Sequence, residues 1–130
     1  MEVKRILIDT NIYSHAMRAD HEVTHLLRKV DEIGISVISV GELYSGFKGG
    51  TRERGNRDEL ELFLDSPRVV LYSVDIQTAD YYSEIITNLK KAGTPIPTND
   101  IWIASVAFQH GLKLFTKDVH FSFVKGLILV

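Results

Sequence analysis

Short apolar runs alternate with amphipathic stretches along the chain. Five of the runs are brief, rich in Val, Ile and Leu, and lack a strict apolar–polar alternation, which is typical of parallel strands buried on both faces. We therefore predict strands at Arg5–Ile8, Ile35–Ile38, Val69–Leu71, Leu112–Phe115 and Leu127–Val130.

Apolar residues recur at helical spacing between these runs. Amphipathic helices are predicted around Val23–Val30, Leu60–Leu64 and Ile76–Leu89, and a more apolar, more buried helix over Asp100–His110. Asp75 is the expected N-cap of the third helix, and glycines follow the third and fourth. Alternating strands and helices indicate the α/β class: one domain over residues 1–130, with an open, mostly parallel five-stranded sheet and helices on both faces.

Composition narrows the class of protein. The chain has 130 residues, 45% apolar and 25% charged, as in ordinary soluble globular proteins. It has no cysteine, so disulfides and thiolate metal sites are excluded, and an intracellular, cytoplasmic location is expected. The start, MEVKRILID, lacks the pattern of a secretory signal, and no apolar stretch is long enough to span a membrane. The net charge of −2 means that any nucleic-acid binding must be local.

Four acids fall at or near the carboxyl ends of predicted strands. In an open parallel sheet, ligands bind outside those ends. Three of the acids follow strands directly or one helical turn later, and the fourth opens the buried helix that leads into the fourth strand. We call these four residues the acidic quartet: Asp9, Glu42, Asp100 and Asp118.

Each member of the quartet also has an ordinary structural role available. Asp9 could cap a helix that starts near Asn11, and Asp100 could interact with the dipole of its own helix. Ser39-x-x-Glu42 has the form of a capping box. Asp118 could be a turn residue. Taken singly, each of these interpretations is reasonable.

The conjunction of the four favours a site. Carboxylates gathered at one end of a small sheet repel one another unless a cation compensates them. Oxygen ligands without His or Cys suit a hard ion, Mg²⁺ or Mn²⁺. Such a cluster is suited to phosphodiester hydrolysis, because its cation activates water and offsets charge on the phosphate.

Four segments carry a resemblance to a known family. They are LIDTN, ISVISVGEL, TNDIWIASVAFQHGLKLFTKDVHF and the terminal GLILV, in that order over nearly the whole chain. With them the chain resembles PIN-domain ribonucleases, and among these the VapC-type toxins of toxin–antitoxin pairs. The resemblance implies that the quartet is catalytic and binds the metal, and that Asn11 and Thr116 are its polar supports. Many relatives have Asn at the position of Asp118, which leaves its role as a direct ligand open.

The same resemblance implies a physiological setting. It indicates an Mg²⁺- or Mn²⁺-dependent endoribonuclease that cuts single-stranded or looped RNA. It also implies a growth-inhibiting toxin that is usually dimeric and is silenced by a small antitoxin from the adjacent gene. Two other classes stay open: a catalytically silent RNA- or protein-binding module on the same fold, and, as a poor match, a phosphotransfer receiver-like domain.

Two further sequence signals allow more than one interpretation. His21–His25 has the HExxH pattern of zinc proteases, but both histidines fall opposite the apolar stripe of their helix, so we expect them to face solvent. Basic residues cluster around GGTRERGNR and could guide RNA phosphates or simply form a solvated loop. The candidates for RNA binding are Lys48, Arg52, Arg54, Arg57 and Lys117. The aromatic residues Tyr44, Phe47, Tyr81, Tyr82 and Trp102 are interpreted as core or dimer contacts rather than base-stacking platforms.

Overall fold

A computed structural model describes residues 4–130; residues 1–3, at the start of the chain considered above, lie outside the described residues. The sheet consists of β1 Arg5–Ile8, β2 Glu32–Ser36, β3 Val69–Tyr72 and β4 Lys113–Phe115. Their spatial order is β3-β2-β1-β4, and every neighbouring pair is parallel. The predicted α/β class with a parallel sheet is confirmed.

The predicted fifth strand, Leu127–Val130, is wrong. This segment makes a single parallel bridge, between Leu129 and Leu114. The Leu114 N–H donates to the carbonyl of Ile128, and the Val130 N–H donates to that of Leu114, both at 2.9 Å. Ile128 is 59% exposed, so the segment is not buried on both faces as the prediction required. The sheet therefore has four strands in the described part of the chain.

The predicted boundaries of the second strand, Ile35–Ile38, are also wrong. The strand β2 ends at Ser36, whose hydroxyl accepts a hydrogen bond from the Ile38 N–H at 3.0 Å. This bond makes Ser36 the N-cap of a helix that begins at Val37. One continuous apolar run thus supplies both the end of a buried strand and the start of a buried helix.

Six α-helices and one 3-10 helix connect the strands in residues 4–130. They are α1 Thr10–Met17, α2 His21–Lys29, α3 Val37–Lys48, α4 Glu53–Leu64, α5 Ile76–Ala92, α6 Thr98–His110 and the 3-10 helix Val119–Phe123. Asp75 caps α5 as predicted, and Gly93 and Gly111 end α5 and α6 in the left-handed conformation (φ 71° and 63°) that glycine adopts without strain. None of these helices is both long and apolar enough to cross a bilayer.

Two hydrophobic cores cover the two faces of the sheet. Alternate residues of β1 point to opposite faces. Ile6 and Ile8 pack with apolar residues of α1 to α4, whereas Leu7 packs with α5, α6 and the 3-10 helix. The prediction of helices on both faces is confirmed. The carboxyl ends of the strands lead to the predicted quartet: Asp9 directly follows β1, and Asp118 lies three residues beyond the end of β4.

Candidate functional site

Hydrogen bonds of its backbone and of both carboxylate oxygens fix Asp9 at the carboxyl end of β1. Its N–H donates to the carbonyl of Phe115 in β4 at 3.0 Å. Its Oδ1 accepts from the Thr10 N–H at 2.7 Å, and its Oδ2 accepts from the Thr116 hydroxyl at 2.9 Å. The residue is only 5% exposed. Asp9 is also the N-cap of α1, so it fills the structural role and stands at the candidate site as well.

Glu42 lies in the second turn of α3, and its predicted role in a capping box is wrong. The box requires Ser39 as the N-cap, but α3 begins three residues earlier and is capped by Ser36. Ser39 is instead fully buried, and its hydroxyl lies 2.7 Å from that of Thr10. Without a capping function, the position of Glu42 requires another explanation.

Thr10 provides that explanation, because its hydroxyl joins α1 to α3. The Thr10 hydroxyl lies 2.6 Å from Oε1 of Glu42. A carboxylate only accepts hydrogen bonds, so the single Thr10 hydrogen goes to Glu42 and the Ser39 hydroxyl donates to Thr10. On the other side, the Asn99 amide lies 3.4 Å from Oε2 of Glu42. This chain of donors holds the Glu42 carboxylate at the edge of the sheet.

Asp100 stands in the first turn of α6 and differs from Asp9 in its surroundings. Its helix starts two residues earlier than predicted, at Thr98. The Asp100 carboxylate accepts no side-chain or backbone hydrogen bond within residues 4–130. Burial raises its pKa to about 6, and the neighbouring charges of the other three quartet members add to the rise. A carboxylate with these properties is energetically costly to keep charged in the absence of a cation.

Asp118 follows β4 and is held by the loop around it. Its N–H donates to the Thr116 hydroxyl at 2.9 Å, and its Oδ1 accepts from the His120 N–H at 2.9 Å. The His120 ring Nδ1 lies 2.8 Å from the same oxygen. Asp118 also begins the 3-10 helix as its N-cap, in keeping with the predicted turn role.

The structure brings the whole quartet to one open cleft of about 410 Å³. Its other walls come mainly from α1 and α3. The lining residues are Asp9, Thr10, Asn11, Ser14, Glu42, Leu43, Gly46, Phe47, Asp100 and Asp118. Burial also raises the pKa of Asp9; hydrogen bonds from Thr116 and Thr10 oppose that rise, while the charges of Asp118 and Glu42 add to it. Within residues 4–130, no Lys or Arg nitrogen lies within 4 Å of a quartet carboxylate.

The donor set fits a hard divalent cation. All four ligand candidates supply oxygen, and the unpaired Asp100 gives the cluster an uncompensated charge. In the conformation described, however, no three His, Cys, Asp or Glu side chains among residues 4–130 are arranged to hold one ion directly. Mutual repulsion separates the carboxylates, and Mg²⁺ keeps several of its own waters when it binds proteins. A cation would therefore be held by fewer direct carboxylates with intervening water, or would draw the side chains inward.

The two predicted supports of the quartet differ. Thr116 bonds both Asp9 and the backbone of Asp118, as a support should. Asn11 lines the cleft with an exposed side chain that bonds no quartet carboxylate within the described residues. The supporting residue that sequence reasoning missed is Thr10, next to it in the same motif. The available signal was its position as the first residue of a helix that follows a predicted quartet acid.

Four of the five predicted basic residues surround the α3–α4 turn, the fifth being Lys117, and several of the five already have partners. The Lys48 ammonium pairs with Glu53 at 3.2 Å, and the guanidinium of Arg57 lies 3.8 Å from the centroid of the Tyr44 ring. The Lys117 ammonium pairs with Asp20 at 3.5 Å and with Glu22 at 3.9 Å. Arg52 and Arg54 are exposed. Phe47 lines the cleft directly before Lys48, so the basic turn lies beside the site.

The HExxH motif faces solvent, as predicted. Asp20 caps α2 by accepting a hydrogen bond from the Val23 N–H at 3.1 Å. His21 and His25 are exposed, whereas Val23 is fully buried on the opposite side of the helix. Of the aromatic residues, Tyr82 stacks on Trp102 with ring centroids 4.1 Å apart and Tyr81 stacks on Phe108, which agrees with the interpretation as packing contacts.

Comparisons with known proteins agree with this architecture. The chain is 30% identical over 128 residues to the ribonuclease VapC2 of Rickettsia felis, covering 95% of this chain and 94% of that protein. It superposes on the crystal structure of VapBC2 from Rickettsia felis bound to a promoter DNA fragment with a TM-score of 0.83, at 27% identity and 97% coverage of each chain. The structure of VapBC-1 from nontypeable Haemophilus influenzae gives a TM-score of 0.81 at 28% identity, covering 97% and 96%. Residues 6–127 match the PIN domain, and the chain therefore belongs to the PIN-domain family.

Proposed function

We propose that this protein is an Mg²⁺- or Mn²⁺-dependent endoribonuclease that acts as the toxin of a toxin–antitoxin pair. The observation that supports the proposal best is the cleft, which the whole quartet lines. Among the described residues, no Lys or Arg nitrogen lies within 4 Å of a quartet carboxylate. Relatives named VapC ribonucleases and neighbours that are VapBC complexes support the same activity. A pure binding module would gain nothing from four mutually repelling carboxylates.

Each residue of the site has a distinct task under this proposal. The quartet would hold the cation, which supplies Lewis acidity for the hydrolysis of a phosphodiester bond. Thr10 keeps the Glu42 carboxylate at the edge of the cleft, and Thr116 holds Asp9 while fixing the backbone of Asp118. Asp100, whose carboxylate accepts no hydrogen bond within residues 4–130, is the quartet member whose charge a cation would stabilise most.

RNA would approach the cleft past the α3–α4 turn. An acidic pocket repels phosphates, so a local basic surface is needed to bring the substrate in. Arg52 and Arg54 are the best candidates because they are exposed and form no ion pair within residues 4–130. Lys48, Arg57 and Lys117 would first have to leave their present partners. The RNA substrate implies that the protein acts in the cytoplasm.

An antitoxin partner follows from the same reasoning. The structural neighbours are toxin–antitoxin complexes, and this chain is proposed to pair with a small protein from the adjacent gene and to form a homodimer. The simplest inhibitor is an Arg or Lys on a peptide, because its cation offsets the repulsion within the quartet and excludes a metal ion.

Production of this protein alone should then arrest growth, and co-production of the neighbouring gene's protein should restore growth. High Mg²⁺ should partly relieve inhibition of the purified complex; inhibition indifferent to Mg²⁺ would show that the partner acts elsewhere, for example on the basic turn.

A single cleavage assay tests the enzymatic proposal. Mixed RNAs are incubated with the purified protein and Mg²⁺ or Mn²⁺, with and without a chelator. Cleavage should require the metal and should disappear in Asp100→Asn. The matched control is Glu32→Gln, which removes a carboxylate from the opposite end of the same sheet and should cleave normally. A second control is the double variant His21→Ala with His25→Ala, which should also be fully active. A large loss of RNA cleavage in that variant would support a catalytic role for the HExxH motif.

A further inference from the structure

The two carboxylate oxygens of Asp118 have very different surroundings. Oδ1 accepts a hydrogen bond from the His120 N–H at 2.9 Å, and the His120 ring Nδ1 lies 2.8 Å from the same oxygen, within ion-pair distance. Oδ2 has no hydrogen-bond or ion-pair partner within residues 4–130. Asp118 nevertheless lines the acidic cleft. One oxygen is therefore committed to the loop, and the other is left for whatever the cleft binds.

The His120 ring contacts Asp118 at ion-pair distance. A carboxylate oxygen attracts a ring nitrogen at 2.8 Å only when that nitrogen carries a hydrogen, because an ionised carboxylate cannot donate. The backbone hydrogen bond and the ring contact on the same oxygen together restrain the torsion angles of the Asp118 side chain. The backbone is restrained separately, because the Asp118 N–H donates to the Thr116 hydroxyl, which itself donates to Asp9. Asp118 is thus held at both its backbone and its side chain before any ligand arrives.

We propose that His120 is a positioning residue that makes Asp118 a single-oxygen ligand, presenting Oδ2 to the cation of the acidic cleft. This inference rests on the proposed metal-dependent function and adds a residue to it. A carboxylate with both oxygens free could bind a cation through either or both, or swing away from three like charges. With Oδ1 occupied, it offers one oxygen in one direction. Hydrogen-bonded partners of metal ligands commonly act in this way.

The alternative to this proposal is a purely structural role for His120. Asp118 caps the 3-10 helix through the His120 N–H, and the ring could merely reinforce that cap. Replacement of the side chain leaves the backbone N–H in place, so the cap itself survives in every variant below. The ring is about half exposed (53%), so its removal creates no cavity in the core.

The experiment compares His120→Ala with His120→Asn in the purified full-length protein. An Asn amide nitrogen can donate from nearly the position of Nδ1, without an imidazole. Mn²⁺ affinity is measured by calorimetry, the thermal midpoint in chelator by a melting curve, and RNA cleavage as kcat and KM. His120→Ala should weaken Mn²⁺ binding about tenfold and lower kcat with little change in KM, while His120→Asn should restore most of both. The midpoint without metal should stay nearly unchanged in both variants.

A double-mutant cycle isolates the path through Asp118. If His120 acts only by orienting Asp118, then His120→Ala should weaken Mn²⁺ binding no further when Asp118→Ala is already present. An equal loss in that background, or failure of Asn to restore binding, would overturn the proposal, because the imidazole would then act on metal or RNA itself. A lowered midpoint in chelator that accounts for the loss would overturn it too. If the wild-type protein bound Mn²⁺ and cut RNA while His120→Ala matched it, only this inference would fail; absence of both in the wild type would refute the proposed function.

Discussion

Both ends of the four-stranded sheet carry acidic residues, but the acid at the amino end is paired within the chain and the acids at the carboxyl end mostly are not. At the amino end, Oε2 of Glu32 accepts from Arg5 Nε at 3.0 Å and from the Tyr72 hydroxyl at 2.9 Å. These hydrogen bonds, with that of Arg5 the larger influence, lower the pKa of Glu32. At the carboxyl end, burial and like charges raise the pKa of Asp100 to about 6, and no cation of residues 4–130 forms an ion pair with it.

Under the proposed function, this difference distinguishes a structural acid from a functional one. The charge of Glu32 is neutralised within the chain, so the folded protein needs nothing further at that end. No Lys or Arg of residues 4–130 lies within ion-pair distance of the quartet, and only the His120 ring approaches it, at Asp118. The remaining charge costs stability, as expected of a site that binds a cation from outside the chain. The contrast is one of partners rather than of residue type, and it can be tested by exchanging single atoms at each end.

The largest expected effect comes from exchanging one carboxylate at each end. Asp100→Asn should reduce metal-dependent RNA cleavage to background while leaving the metal-free protein as stable as before or slightly more so, because a repelling charge is removed. Glu32→Gln should do the reverse, with full cleavage and a small loss of stability of no more than about 1 kcal/mol. Cleavage rates and melting curves of the two variants measured side by side would decide. Full activity in Asp100→Asn would remove the distinction between the two ends.

A smaller effect is expected from the hydroxyl that holds Glu42. Thr10→Val keeps the shape of the side chain but removes the donor to Glu42 and leaves the buried Ser39 hydroxyl without its partner. Cleavage should fall about tenfold, as when other partners of metal ligands are removed. The free energy of unfolding should fall by about 1–3 kcal/mol because of the unpaired hydroxyl. Thr10→Ser, which keeps the hydroxyl, is the matched control, and equal activity in Val and Ser would mean that Thr10 is only structural.

The sequence was sufficient for most of the acid positions and insufficient for what supports them. Asp9 directly follows one short apolar run and Asp118 lies three residues beyond another, and the ends of parallel strands meet at one edge. The support from Thr10 depends on how closely α1 packs against α3, which no local pattern encodes. Periodicity also failed to predict the boundary within ISVISV. Apolar periodicity alone does not show where a buried strand ends and a buried helix begins within one short run. The misplaced strand end put the N-cap at Ser39 instead of Ser36, and from that error came the false capping box at Glu42.

The fifth strand failed for a different reason. The pattern of Leu127–Val130 predicts a strand, and its backbone does approach β4, but only Leu129 completes a bridge. Whether such a run becomes a strand depends on what covers its outer face, and Ile128 is mostly exposed there. Sequence reasoning assumed that this burial was present. The HExxH prediction succeeded because helical spacing alone decides which side of α2 faces the core.

The pH dependence of stability should have opposite signs at the two ends. The pKa of Asp100 is raised in the folded protein, so its charge destabilises the fold increasingly as pH rises from about 4 through about 6. Relative to Asp100→Asn, the metal-free wild type should lose about 1–2 kcal/mol between pH 4 and pH 7.5, after allowance for partial solvent exposure. The lowered pKa of Glu32 gives stability that is present above its ordinary pKa and lost as pH falls. Melting curves from pH 4 to 7.5 for the Asp100 pair, and from about pH 5 down to about pH 3 for the Glu32 pair, measure the two slopes. Slopes of the same sign would contradict the comparison.

The smallest expected effect is at the amino end, in Tyr72→Phe. The Tyr72 ring lies over β2, with its Cε2 only 2.7 Å from where a Cβ on Gly34 would be, and its hydroxyl accepts from Arg5 at 3.2 Å while donating to Glu32. Phe keeps the ring, its packing over Gly34 and the Arg5–Glu32 ion pair, and loses only the hydroxyl. The free energy of unfolding should therefore fall by no more than about 1 kcal/mol, with cleavage unchanged. Gly34→Ala is the informative contrast, because its methyl group meets the ring and the carbonyl of Ile6 at 3.0 Å, so it should destabilise the fold more than Tyr72→Phe does. Urea unfolding of the three proteins ranks them, and a loss of cleavage in folded Tyr72→Phe would show that the two ends of the sheet are coupled.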